Sequence, residues 1–209
     1  MIFNDAIISR LRSEIKSRMS EKRYIHTLGV EKLARYLGSV LLPDRLDELS
    51  AAALLHDVVK EMSFDEHVAL LRDSDFEYTE EDIRTKPALH SIAAIPFIKE
   101  KFAEFATDDI LSAVANHTLG SPDMSVFDEI IFISDYAEEG RTYRACIEVR
   151  EHLLNNVRVE NEREDNLIAL HEASLRSLLS TIESLSCRKE IINSRTIMTK
   201  RYFDTIIGK

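Results

Sequence analysis

Apolar residues recur along most of the chain at intervals of three and four, the spacing that places them on one side of a helix. Ile2 or Phe3, Ile7, Leu11, Ile15 and Met19 define a first amphipathic helix. A break near Ser20 leads to a second, from Arg23 to about Leu42, whose apolar positions are Ile25, Leu28, Val30, Leu33, Leu37 and Val40. After Pro43-Asp44, the stretch from about Asp47 to Glu61 is apolar on nearly every side, with Ala51, Ala52, Ala53, Leu54, Leu55, Val58 and Val59. It predicts a central buried helix whose alanines admit close neighbours. Ser63 to Glu66 has the form of a capping box and opens a helix through about Asp73. Residues Ser74 to Pro87 read as a loop with one helical turn at most.

Leu89 to about Phe105 predicts a helix with a kink or restart at Pro96. Thr107 caps a helix from Ile110 to about His117, Gly120 to Asp123 forms a loop, and Val126 to about Glu138 is a second apolar core helix. Gly140 bends the chain. Tyr143 to Val159 and Asp165 to Ser186 read as long surface helices. The tail from Arg188 to Lys209 carries Ile191, Ile192, Ile197, Tyr202, Phe203 and Ile206, too many apolar side chains to stay undocked. The pattern is that of an all-α protein.

Composition narrows the function more than the fold. Only 5 Gly and 4 Pro in 209 residues advertise few turns and argue against an all-β architecture. The net charge of −10 repels polyanions, so no nucleic-acid partner is expected, and a site for a phosphorylated small molecule must carry its own positive charge. Two cysteines, Cys146 and Cys187, make no disulfide framework, and a reduced cytoplasmic setting is the default. The N-terminal segment lacks the apolar core of a signal peptide, and no run approaches the roughly 18 apolar residues of a membrane span.

The chemistry lies in the distribution of His and Asp. His26, His56, His90 and His117 fall at or near the ends of predicted core helices. Asp57 follows His56, and Asp135 lies inside an apolar helix, where a carboxylate requires a partner such as a metal ion, Arg or Lys. An H…HD…D order spread over separate core helices is what one dication needs, mixed nitrogen and oxygen ligands converging from several directions. On a continuous helix His56 and Asp57 point about 100° apart, and Lys60 shares the face of Asp57. His90 and His117 are expected to titrate near neutral pH and to serve as proton donors or, alternatively, as ligands of a second metal. His67 and His152 read as surface residues and His171 as a helix flank. For Tyr136 and Tyr143, core packing is favoured over stacking on a base.

The segments RYIHTLGVEKLA, LLHDVVKE, ALHS, ANHTLGSPDMS and ISDYAEEGRTY, in that order, resemble the HD superfamily of metal-dependent phosphohydrolases. Within it they are most similar to the YqeK-like branch, the bacterial symmetrical bis(5'-nucleosyl)-tetraphosphatases. The resemblance spans about residues 20 to 150. It implies an HD-domain helical bundle with a C-terminal helical extension, divided as an N-terminal helix over residues 1–20, an HD domain over 21–150 and a docked extension over 151–209. It implies a divalent transition metal, most often iron with manganese, nickel or zinc as alternatives, on His26, His56, Asp57 and Asp135. Asp57, Lys60, His90, His117, Thr118, Asp135 and Arg141 match positions lining the family's nucleotide pocket, with Lys60, His90, His117 and Arg141 beside Asp57 in the reaction itself. Two departures, Glu139 where the family often has Pro and Ala53 where it often has Gly, remove no ligand. The tail matches the family's end only loosely, and no contact is assigned to it.

The activity so implied is cleavage of diadenosine tetraphosphate to two ADP. An HD phosphatase of a nucleoside monophosphate or alarmone, and a metal- or nucleotide-binding regulator without turnover, remain alternatives. No membrane partner is expected, and the long helices after Gly140 admit a homodimer.

Overall fold

In the computed structural model, which describes residues 3–208, every regular element is a helix: α1 (Asp5–Lys16), α2 (Glu21–Leu41), α3 (Leu46–Leu55), α4 (Phe64–Arg72), α5 (Glu80–Arg84), α6 (Leu89–Lys101), α7 (Asp108–Asn116), α8 (Val126–Ala137), α9 (Arg144–Asn156), α10 (Arg163–Arg188) and α11 (Ser194–Ile207). Short 3-10 turns precede α3 and α6 and follow α6.

The order of packing follows from which helix has no polar face. Leu49 to Leu55 of α3 are all buried, and α1, α2, α7 and α8 surround it. Around this centre, α2 packs on α8, α7 on both α6 and α8, and α4 on α6. Helix α1 lies across α3 through Ile8, Leu11 and Ile15, and Arg12 pairs bidentately with the buried Glu31 of α2 at 2.6 Å. Ile2 lies outside the described residues; Phe3 is buried and stacks on Phe105 at 5.3 Å between centroids. Lys209 at the other end is also outside them.

Several helix starts are set by local chemistry. Ser63 with Glu66, Thr79 with Asp82 and Ser125 with Asp128 form reciprocal capping boxes, and Thr107 accepts from the Ile110 N–H. Ser20 caps α2, which therefore starts at Glu21. Pro96 sits inside α6 without breaking it, and the chain leaves the helix at Lys101 instead. The single turn expected in the polar stretch is α5.

The C-terminal half is less superficial than its pattern implied. Ala169, Leu170, Ala173 and Leu178 of α10 are buried against α8 and α9, and α11 docks on α10 through Phe203. His67 and His152, expected at the surface, are largely buried: each ring Nε2 faces a backbone carbonyl, of Val59 at 2.8 Å and of Ala169 at 3.2 Å. His171 flanks α10, pairing with the buried Glu129 at 2.9 Å. Among the described residues, no helix is long and apolar enough to cross a membrane.

Phe203 is 1% exposed, with its ring 5.7 Å from that of His171. Phe203→Ala is expected to cost about 3–5 kcal/mol in urea unfolding. Met198→Ala, on the outer face of the same helix, is expected to change stability by less than about 0.5 kcal/mol; equal losses would show that α11 is not docked through Phe203.

Candidate metal centre and cleft

The predicted helix over Asp47 to Glu61 ends early. α3 stops at Leu55, and the next residues form turns with i→i+3 bonds, from Val58 N to Leu55 O, Lys60 N to Asp57 O and Met62 N to Val59 O. The reason is a competitor for one carbonyl. In a continued helix Ala53 O would accept from Asp57 N; here the His56 Nδ1 reaches it at 2.6 Å. His56, Asp57 and Lys60 thus leave a helix terminus, not a helical face. His117 repeats the device at the end of α7, with Nδ1 2.6 Å from Val114 O, and His90 does so in the first turn of α6, with Nδ1 3.0 Å from Pro87 O. In a neutral ring the nitrogen facing a carbonyl carries the proton, which makes Nε2 the nitrogen able to ligate.

Those nitrogens meet the two carboxylates and His26. His26 Nε2 lies 3.6 Å from Asp57 Oδ2 and 3.0 Å from Asp135 Oδ1, and His56 Nε2 lies 3.4 and 3.8 Å from the same two oxygens. On the other side of Asp57, Oδ1 is 3.2 Å from His90 Nε2 and 3.6 Å from His117 Nε2. Ligands about 2.1 Å from a common ion stand about 3 to 3.5 Å apart, close to the separations found here. His26 Nε2, His56 Nε2 and Asp57 Oδ1 are buried and have no hydrogen-bond partner. The donor set therefore fits a divalent cation. Three sets of ligand atoms lie close enough together to hold one: His26, His56 and Asp57; His56, His117 and Asp135; and Asp57, His90 and His117.

Charge inside the cluster is arranged around the two carboxylates. Arg23 Nη1 lies 2.6 Å from Asp57 Oδ2 and Arg141 Nη2 lies 2.8 Å from Asp135 Oδ1. Burial alone would raise the Asp57 carboxyl, but the imidazoles of His56, His117 and His90 outweigh it and hold the group well below the usual range. Asp135 is held low against burial chiefly by His26, His56 and Arg141. Burial pulls the His26 imidazole down, but its contacts with Asp135 and Glu138 prevail and raise it to about 9. His90 departs from the titration near neutral pH that was expected, and His117 shifts in the same direction. Burial pushes both down, His90 to about 3 with the Lys60 ammonium adding to the effect. Lys60 is itself lowered by burial, and its Nζ sits 3.0 Å from His90 Nε2. Thr118 Oγ1 stands 3.3 Å from the same nitrogen.

A cleft of about 530 Å³ opens onto this cluster at His117 and Asp135 and runs between α8, α9 and α10. Arg141 lies in its wall and Arg188 at the end of α10, so apart from Asp135 its charged lining is cationic. A larger groove of about 770 Å³ between α4 and α6 has no histidine in its lining.

The HD domain family model matches residues 23–140. The chain belongs to the HD domain family. Its matched span contains His26, His56, Asp57, Lys60, His90, His117, Thr118 and Asp135. This HD domain protein is similar to the protein named bis(5'-nucleosyl)-tetraphosphatase, symmetrical, of Halalkalibacterium halodurans, 28% identical over 88% of this chain and 90% of the relative. The protein of the same name from Bacillus subtilis is 29% identical over 65% of this chain and 72% of its own length. Among solved structures, one described as a predicted HD superfamily hydrolase involved in NAD metabolism, from Clostridium acetobutylicum, superposes with a TM-score of 0.81 at 26% identity, covering 95% of this chain and 97% of the other. By family and fold the chain is an HD-domain hydrolase.

All nine site residues expected from the sequence gather at the cluster or its cleft, and two more join them. Arg23 lies three residues before His26, on the same side of α2, a spacing that could have flagged it. Glu138 lies three residues after Asp135 and contacts His26 Nδ1 through Oε1 at 3.1 Å, while Oε2 accepts from Gly140 N. It fixes the ring so that Nε2 faces the centre. Gly29 makes room for this carboxylate: a Cβ there would collide with Glu138 Oε2. Glu138→Gln is expected to weaken divalent-cation affinity by about 10- to 100-fold, and Gly29→Ala to act in the same direction. Metal analysis after dialysis against graded chelator checks both; full retention by both variants would remove Glu138 from the site.

Proposed function

We propose that the chain hydrolyses diadenosine tetraphosphate symmetrically, giving two ADP, with one divalent cation, iron by preference, held by His26, His56, Asp57 and Asp135. The observation that carries this reading is the buried cluster with its unpartnered imidazole and carboxylate atoms, onto which a cleft whose other charges are arginines opens at His117 and Asp135. The names of the relatives support the substrate. A cation bound there would supply Lewis acidity and lower the pKa of a coordinated water.

The chain's own residues account for the rest. Water adds to one central phosphorus, the bond from that phosphorus to the bridging oxygen breaks, and the bridging oxygen leaves as the terminal oxygen of the second ADP. Arg141, anchored through Nε to Asp135 O at 3.1 Å, neutralises charge on the phosphate oxygens. Lys60 does the same from the other side and donates toward the leaving phosphate, since its Nζ is the nearest proton-bearing group beside His90. His90 accepts from the Lys60 ammonium and so positions it, with His117 Nε2 3.0 Å away on the same wall. Thr118 adds a hydroxyl on the same wall. Because the His90 Nε2 lone pair faces the Lys60 ammonium, it is not free for a second ion, which favours a single cation.

Incubation of manganese- or iron-loaded protein with diadenosine tetraphosphate should yield ADP alone. ATP with AMP as products, or release of inorganic phosphate from mononucleotides in preference, would overturn the assignment. Asp57→Ala should abolish turnover and cation binding together, whereas Lys60→Ala should keep the cation and lower kcat by about 100-fold. Metal analysis should find one ion per chain.

A further inference from the structure

Tyr143 is the most exposed large aromatic side chain described in the protein, at 77%, although the sequence pattern favoured packing it in the core. It sits at the N-cap position of α9 with extended backbone and lines the cleft that ends at Asp135. Its neighbour in that wall, Tyr136, is half-buried and adjoins Cys146, so Tyr136 belongs to the wall itself. Tyr143 makes no side-chain hydrogen bond among the described residues, and nothing in the fold requires an aromatic ring there. An exposed ring is an unused contact surface in water.

Three features of the cleft select what that surface would meet. Asp135 and His117 of the cluster line the cleft together with Arg141, two residues before Tyr143, so the anionic part of a ligand goes to that end. Arg188, also in the lining, has a side chain 58% exposed and pairs with Glu190 at 3.3 Å, so Arg141 is the main cationic group of the wall. At about 530 Å³, the space is that of a small-molecule site able to take one nucleoside diphosphate. A ligand with its phosphates at Arg141 and its other end near Tyr143 must present a flat, uncharged group to the ring.

We propose that Tyr143 is the specificity-determining residue of the cleft, the platform on which the base of a purine nucleoside diphosphate unit stacks. This rests on the nucleotide reading above and adds to it that one nucleoside is read while the other is not. Stacking is sequence-tolerant but stronger for the larger rings, so the site prefers purines over pyrimidines without a hydrogen-bond code.

The test is equilibrium binding to manganese-loaded protein by calorimetry, with ADP, UDP and inorganic pyrophosphate as probes. The wild type should bind ADP more tightly than UDP and about 10-fold or more tightly than pyrophosphate. Tyr143→Ala should weaken ADP by about 10-fold, leave pyrophosphate within twofold and erase the purine preference, while Tyr143→Phe should restore it. Equal ADP affinity in Tyr143→Ala and wild type, parallel loss of ADP and pyrophosphate, or a wild type that binds ADP no better than pyrophosphate would each overturn the proposal. A protein that shows the expected binding pattern yet forms no ADP from diadenosine tetraphosphate would sink the hydrolytic reading and leave the role of Tyr143 standing.

Discussion

An imidazole whose Nδ1 donates to a carbonyl three residues earlier has one nitrogen left, and its direction is set by the backbone. His56, His90 and His117 all use this arrangement, at 2.6, 3.0 and 2.6 Å. It settles the tautomer of the neutral ring, stops the ring from turning and makes Nε2 the nitrogen free to ligate. At His56 it also ends α3, because the ring takes the carbonyl that the next turn of helix would have used. The divergence of 100° between adjacent helical side chains disappears with the helix, and His56 and Asp57 can address one point. Local hydrogen bonding thus does what rigid helix geometry would have hindered.

The same constraint explains how an acidic chain handles anions. A net charge of −10 describes the surface seen from a distance, and salt screens that field within about 8–10 Å. Inside the cleft, Arg141 and the cation ligands set the potential. Burial and the neighbouring ammonium keep His90 neutral, so positive charge comes from residues that cannot readily lose it.

Much of the helix order was legible because it rests on short-range chemistry. The Ser63–Glu66 box and the Thr107 cap connect residues three apart, and both form as the sequence implied. The end of α3 was not legible, since the apolar run continues through Val58 and Val59 and periodicity carries no sign of a ring capturing a carbonyl. The burial of His67 and His152 depends on what packs over them, which a single helix does not encode. The H…HD…D order survives these errors because it reports which residues converge, independent of the elements that bring them there. Arg23 and Glu138 were overlooked for a related reason: each touches the expected ligands and not the point between them. Tyr143 was misplaced because an aromatic residue is ordinarily a core residue, and only the fold shows it left out.

Each buried carboxylate of the cluster has an arginine on one oxygen, Arg23 on Asp57 and Arg141 on Asp135. Those pairs satisfy the electrostatics of burial, and a fold maintained for stability alone could have stopped there. It did not. His26 Nε2, His56 Nε2 and Asp57 Oδ1 remain without hydrogen-bond partners beside them, and an unsatisfied buried polar group costs about 1–3 kcal/mol. Three such costs within one cluster amount to a large fraction of a typical domain's net stability of about 5–15 kcal/mol. Apolar side chains of similar size would avoid them. A polar cage retained at that expense has the imidazole and carboxylate donors that suit divalent cations, with His26 and His56 Nε2 on the Oδ2 side of Asp57 and Oδ1 turned toward His90 and His117.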